Sequence, residues 1–181
     1  GYTFGGWYTE RTGGSKIDFS TQTFDANTTL YARWIPEKVS YRVILWSETL
    51  DDEYGKSVGD TNYKYVADYE ATGNAGTTVA WADINKYTSA QLLALFPYHV
   101  DTPSVDSDSK TDGGTLYIAG DGSSIFNVYF DLKEYTLTFN VGSSLSKITH
   151  DGTTYTGSQY SFKAKIGEDI SADWPKAEEV A

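Results

Sequence analysis

The chain has 181 residues, 25 acidic and 14 basic side chains, a net charge of -11, and neither cysteine nor methionine. That acidity repels phosphate backbones and anionic lipid surfaces, so neither nucleic acid nor membrane contact is expected. Without cysteine a disulfide framework, a thiolate metal site and a cysteine nucleophile are all excluded.

With 5 Trp, 15 Tyr, 8 Phe and 17 Gly, the composition favours strands joined by turns. No apolar run approaches the roughly 20 residues that a membrane-spanning helix needs. The chain starts at Gly1 with no initiator Met and no basic-then-apolar leader, and it is read as a piece of a longer protein.

Tyr2, Phe4, Trp7 and Tyr8 predict a first strand, the Gly13-Gly14 pair a turn, and Ile17 to Phe19 a resumption of strand. Leu30-Tyr31-Ala32-Arg33-Trp34 predicts another strand, ended by Pro36. Next, Tyr41, Val43 and Leu45 alternate with Arg42, Ile44 and Trp46. Both faces carry apolar groups, which predicts a central strand or one covered on both sides. A turn-rich stretch over residues 49–62 and a returning strand with Tyr63, Tyr65 and Ala67 complete a long-looped hairpin.

A short strand is expected around Val79. Thr88 or Ser89 then caps a short helix near 89–96, which Pro97 stops. A two-turn helix is too short to hold itself, so packing on a sheet must support it. Residues 101–114 read as a solvated loop, and strands follow at 116–118 and 125–130. Tyr135-Thr-Leu-Thr-Phe139 repeats the form of Tyr41-Arg-Val-Ile-Leu45, 94 positions on. Each follows directly on a Tyr-bearing strand, as expected of modules joined end to end.

The opening segment carries Gly1, Tyr2, Phe4, Gly6, Trp7, Tyr8, the Gly13-Gly14 turn, and Leu30-Tyr31-Ala32 with Trp34. It resembles the internalin-type B repeat, also called the Listeria-Bacteroides repeat. The resemblance implies the C-terminal half of a β-grasp module over residues 1–37, with Trp7 and Trp34 at positions that look like core. More loosely, Gly120 to Asp131 resembles the end of a companion module and Tyr160 to Pro175 the early part of another. The implied setting is a multi-repeat protein on the outside of bacteria, mostly Gram-positive.

Candidate chemistry is sparse. The two histidines, His99 and His150, are 51 positions apart, a poor basis for a transition-metal site or an acid-base pair. Asp106, Asp108 and Asp112 suggest a hard-cation loop, but Lys110 stands where an oxygen ligand belongs and no Glu closes it. Trp81, Tyr63, Tyr65 and Tyr69 are the candidates for a ligand face, since an exposed aromatic ring offers a rigid apolar platform to a sugar.

The expectation is therefore a strand-dominated α+β chain of tandem small modules, β-grasp-like, without cofactor, metal or catalysis. Its parts are a half module at 1–37, a complete module at 38–134 and a partial one at 135–181. It acts as an extracellular stalk or spacer whose partners are the neighbouring modules. The competing reading is an adhesin module for host mucins or glycans. Residues 38–133 hold 14 acids against 7 bases, a net of -7, which keeps neighbouring stalks apart and in solution.

Overall fold

A computed structural model describes residues 1–51, 56–140, 142, 147–156, 159–176 and 179–180. The sheet-forming segments are β1 Tyr2–Tyr8, β2 Tyr31–Pro36, β3 Lys38–Thr49, β4 Lys56–Val58, β5 Thr61–Asn74, β6 Ser104–Asp106, β7 Ile125–Phe130, β8 Glu134–Asn140, β9 Lys147–His150, β10 Thr153–Thr156 and β11 Gln159–Lys165. Two short helices, α1 Trp81–Ile84 and α2 Ser89–Leu95, lie between β5 and β6. The chain is thus strand-dominated α+β.

Among the described residues the strands form four sheets: β1-β2, the five-stranded β4-β5-β3-β7-β6, β8-β11 and β9-β10. β3 is the third of five strands, as its two apolar faces predicted. The chain divides by contacts into two units, and β3, β5 and β7 each pass from one to the other.

The first unit comprises Gly1–Leu45, Ala67–Lys86 and Ser104–Val128. Tyr41, Val43 and Leu45 of β3 are buried together with Phe126 and Val128 of β7, and the Tyr41 and Phe126 rings meet edge to face at 5.5 Å. On the other parity of β3, Arg42 pairs with Asp68 of β5 at 2.7 Å. The chain after β5 forms helix α1 where a strand near Val79 was predicted. The Ala80 N–H donates to the Asp83 carboxylate at 2.7 Å, and the Tyr69 hydroxyl donates to the Ile84 carbonyl at the helix end. Thr78 and Leu116–Tyr117 make only isolated bridges.

β1 and β2 pair antiparallel, with a register shift between Phe4 and Gly6. Gly6 sits at φ 122°, a conformation that favours glycine. The expected strand at Ile17–Phe19 reduces to one bridge, Tyr8 to Lys16, after which Asp18 turns the chain by accepting from the Ser20 N–H and hydroxyl.

The reading of Trp7 and Trp34 as core is corrected. They are 40% and 60% exposed, and Phe4 between them is 45% exposed. Their rings pack edge to face on Phe4 at 5.7 and 5.5 Å. The register shift brings Trp7 onto the same side as Phe4 and Trp34, so the three rings shield one another without a covering layer.

The second unit comprises Trp46–Val66, Tyr87–Pro103 and Tyr129–Ala181. Within the expected hairpin, residues 52–55 lie outside those described. β4 pairs antiparallel with β5 across a turn at Gly59 and Asp60. Helix α2 forms where predicted, and Thr88 is its cap. The Gln91 N–H donates to Thr88 Oγ1 at 3.3 Å and the Thr88 N–H donates to Gln91 Oε1 at 2.9 Å, satisfying two free donors reciprocally.

None of the α2 residues is buried. The anchor is Phe96 just beyond, stacked on Phe130 of β7 with centroids 3.9 Å apart. β8 and β11 pair antiparallel, and Phe139 stacks on Tyr160 and Phe162. β9 and β10 form a tight hairpin that the hydrophobic pattern did not predict.

Phe126 is fully buried, so Phe126→Ala leaves a cavity in the first unit. It is expected to cost about 3–5 kcal/mol, measured by urea denaturation as a lowered midpoint at unchanged slope.

Candidate functional site

Of the four aromatic residues proposed as a ligand face, two are buried. Tyr63 and Tyr69 are 6% and 7% exposed. Tyr63 donates its hydroxyl to Asp131 Oδ1 at 2.6 Å and packs on Tyr129 at 4.7 Å. Burial, then that hydrogen bond, holds the Tyr63 phenol well above its ordinary pKa. Tyr69 is tied to the Ile84 carbonyl, with the Lys86 ammonium 4.1 Å above its ring. Tyr65 is exposed and meets Trp46 edge to face at 6.2 Å. Trp81, half-buried, opens helix α1 in the other unit.

The acidic loop is not drawn together either. The Asp106 carboxylate holds Lys110 Nζ at 2.8 Å, and no group of three metal-ligating side chains occurs among the described residues.

The second unit holds a set of buried polar groups that composition could not have placed. Ser47 Oγ lies 2.9 Å from His99 Nε2, the spacing of a nucleophile and its base. Ser47 is 3% exposed, its hydroxyl donates to the Glu48 carbonyl at 3.2 Å, and His99 Nδ1 is buried with no hydrogen-bond partner among the described residues. Burial lowers the His99 pKa, opposed by hydrogen bonding to the Glu48 carbonyl and by the Glu48 and Asp131 charges.

The other features of functional interest are the two places where one sheet hands over to the next. β2 ends at Pro36 and β3 begins at Lys38, leaving Glu37 alone between them. Both backbone groups of Glu37 are used: its N–H donates to the Gly1 carbonyl at 2.7 Å and its carbonyl accepts from the Ala75 N–H at 2.9 Å. The Glu37 carboxylate also accepts from the Thr3 hydroxyl. Tyr2 lies against Gly120 and Gly76. A Cβ on Gly76, at φ 76°, would collide with the Tyr2 hydroxyl, so glycine there permits both the turn and the close approach.

The second handover, residues 131–133 between β7 and β8, runs beside residues 98–100. The Val100 N–H donates to the Asp131 carbonyl at 2.8 Å and the Lys133 N–H to the Tyr98 carbonyl at 2.9 Å. Beneath it sits Glu48, 4% exposed, whose Oε2 accepts from the Leu132 N–H at 2.6 Å while Oε1 holds Lys165 Nζ. Hydrogen bonding to Glu48 raises the Lys165 pKa and keeps the amine charged. One carboxylate on β3 therefore pins both the linker and β11.

Removing Lys165 leaves a carboxylate in the interior without its counter-charge, whereas removing the Glu48 charge leaves a half-exposed ammonium that can turn to water. Lys165→Met is accordingly expected to cost about 3–5 kcal/mol at neutral pH. Glu48→Gln, which keeps an acceptor for the Leu132 N–H, is expected to cost less than about 2 kcal/mol. Urea midpoints of the two variants check the order. For His99 the folded pKa lies below the unfolded one, so its contribution is present above the unfolded value of about 6.5 and is lost as pH falls through the folded value. The thermal midpoint of the wild type should fall over that window, and more steeply than that of His99→Phe.

Residues 1–33 match the sequence model of the Listeria-Bacteroides repeat domain, which supports a repeat protein. No curated protein and no solved structure is a significant match to the chain. Among the described residues no helix is long and apolar enough to cross a membrane.

Proposed function

We propose that the chain is a run of tandem modules serving as a non-catalytic spacer in an extracellular bacterial surface protein. Its boundaries fall near residues 37 and 134. The β1–β2 segment is the C-terminal half of a β-grasp repeat of the internalin B type. Its partners are the modules beside it, and attachment to the cell surface or wall belongs to regions outside this stretch. Host glycans or mucins bound through Trp81, Tyr63, Tyr65 and Tyr69 are the less favoured reading, because two of those four rings are committed to the interior.

The observation that carries the proposal is the agreement between sheets and sequence. The first sheet uses only residues 2–36, the five-stranded sheet only residues 38–130, and the β8–β11 sheet only residues 134–165. Ladder pairing that stays within each of these three stretches supports modules joined near residues 37 and 134. Linkers of one and three residues, with their backbone groups bonded to neighbours, resist bending where a free linker would act as a hinge.

The absence of cysteine allows a direct test by paired spin labels. Labels at Arg11→Cys and Glu70→Cys, both exposed and both in the first unit, are expected to give a single narrow distance distribution. Tyr2→Ala, or a Gly-Gly-Ser insertion after Glu37, is expected to broaden it. A broad distribution in the wild type would reject the stiff spacer.

A further inference from the structure

Strand β3 has a second face, and in the first unit that face floors a groove. Ile44 of β3 with Ile125 and Asn127 of β7 form the floor, and the walls come from residues 108–109 and 117–123. Its volume is about 560 Å³, inside the roughly 300–1,000 Å³ range of small-molecule sites. The spacer role makes no use of it.

The walls are held in place from behind. Ser124, 1% exposed, accepts from the Ala119 N–H at 2.7 Å and meets the Ser109 hydroxyl at 2.8 Å. The Tyr117 N–H donates to the Ser109 carbonyl at 3.0 Å, which fixes the tyrosine wall to the opposite one. Asp121 Oδ1 accepts from both the Ser123 N–H, at 3.0 Å, and the Ser123 hydroxyl, at 2.7 Å. Those bonds hold its carboxyl below the usual carboxylate range, so it is ionised at neutral pH. The Asp121 Oδ2 and the Asp108 carboxylate make no hydrogen bond among the described residues.

The groove therefore combines two carboxylates with the ring of Tyr117 and two isoleucines. Carboxylates take paired hydroxyl donors and an aromatic ring takes an apolar C–H face. Together they match one ligand class, a polyhydroxylated ring with a polar rim and an apolar face. No Lys or Arg lines the groove, and two negative charges disfavour an anionic ligand.

We propose that this groove is a binding site for a neutral mono- or disaccharide, with Asp121 and Asp108 accepting from ring hydroxyls and Tyr117 contacting the sugar face. The site is separate from Trp81, Tyr63, Tyr65 and Tyr69, and the spacer role neither requires nor forbids it. A stalk module carrying such a groove would engage glycans along its side.

The test is titration of the isotope-labelled chain with galactose, N-acetylglucosamine, lactose and 3′-sialyllactose, followed by backbone amide shifts. At least one neutral sugar is expected to give saturable shifts confined to the groove, at Tyr117, Asp121, Ser123, Ile125 and Asn127. Asp121→Ala and Tyr117→Ala are expected to weaken that binding by about tenfold or more, the loss of one charged hydrogen bond or one ring contact. Asp108→Ala, at an exposed loop position where folding is not at stake, is expected to weaken it too. Sialyllactose is expected to bind less tightly than lactose. The proposal is overturned if no neutral sugar gives saturable groove shifts, if folded Asp108→Ala and Tyr117→Ala bind as the wild type does, or if sialyllactose binds as tightly as lactose.

Discussion

Strand β3 carries the constraint on which the other sheet segments depend, because it must find partners for two faces at once. Tyr41, Val43 and Leu45 are buried on one parity. A long apolar strand in the middle of a sheet has the backbone groups of both its edges paired, where at the sheet edge one row would stay open. β3 accordingly lies between β5 and β7, and β4 and β6, of three residues each, take the edges. Short edge strands expose little unpaired backbone and offer a poor template for pairing with another chain. The groove on the outer face of β3 has the same origin. Ile44 and Ile125 are partly covered by loops, which leave room above them.

The same strand delivers the buried charge. Glu48 lies near the end of β3 and is nearly out of contact with water, a position that is costly for a carboxylate unless it is neutralised and fully bonded. Lys165 supplies the charge and the Leu132 N–H supplies a second donor. A hydrophobic residue of similar volume could give equal or greater stability there. What the ion pair adds is a tie between β3 and β11. Asp131 with the Tyr63 hydroxyl acts on the same linker from its other end.

How much of this was legible in the sequence depended on whether the signal was local. Helix α2 was readable because its cap is written in four consecutive residues, Thr88 to Gln91. β3 was readable as a central strand because its stretch alternates with apolar groups on both parities, and it lies third of five strands. Helix α1 was not, because its one turn is held by Asp83 reaching back to Ala80 and by a tyrosine hydroxyl arriving from β5. Residues 79–81 by themselves look like strand. β9 and β10 were missed because Thr and Tyr around a His-Asp-Gly turn give little hydrophobic contrast. The exposure of Trp7 and Trp34 was unreadable for a different reason. Aromatic identity predicts burial only on average, and these rings lie on a two-stranded sheet where they shelter one another. The groove was invisible because its lining comes from separate stretches, Ile44 of β3, residues 108–109, 117–123 and 125–127.

The two proposed roles rest on different physical demands. A spacer needs junctions that keep their geometry, and toward that need Glu37 and Gly76 offer backbone bonds and Glu48 a buried ion pair. A binding groove needs walls that are already in place before the ligand arrives, since ordering them on binding would cost affinity. The Ser109, Ser124 and Ala119 network meets that second need. The groove and the first junction share a segment of chain: the Ile118 carbonyl accepts from the Gly76 N–H and Gly120 lies against Tyr2, so a change within residues 117–123 bears on both.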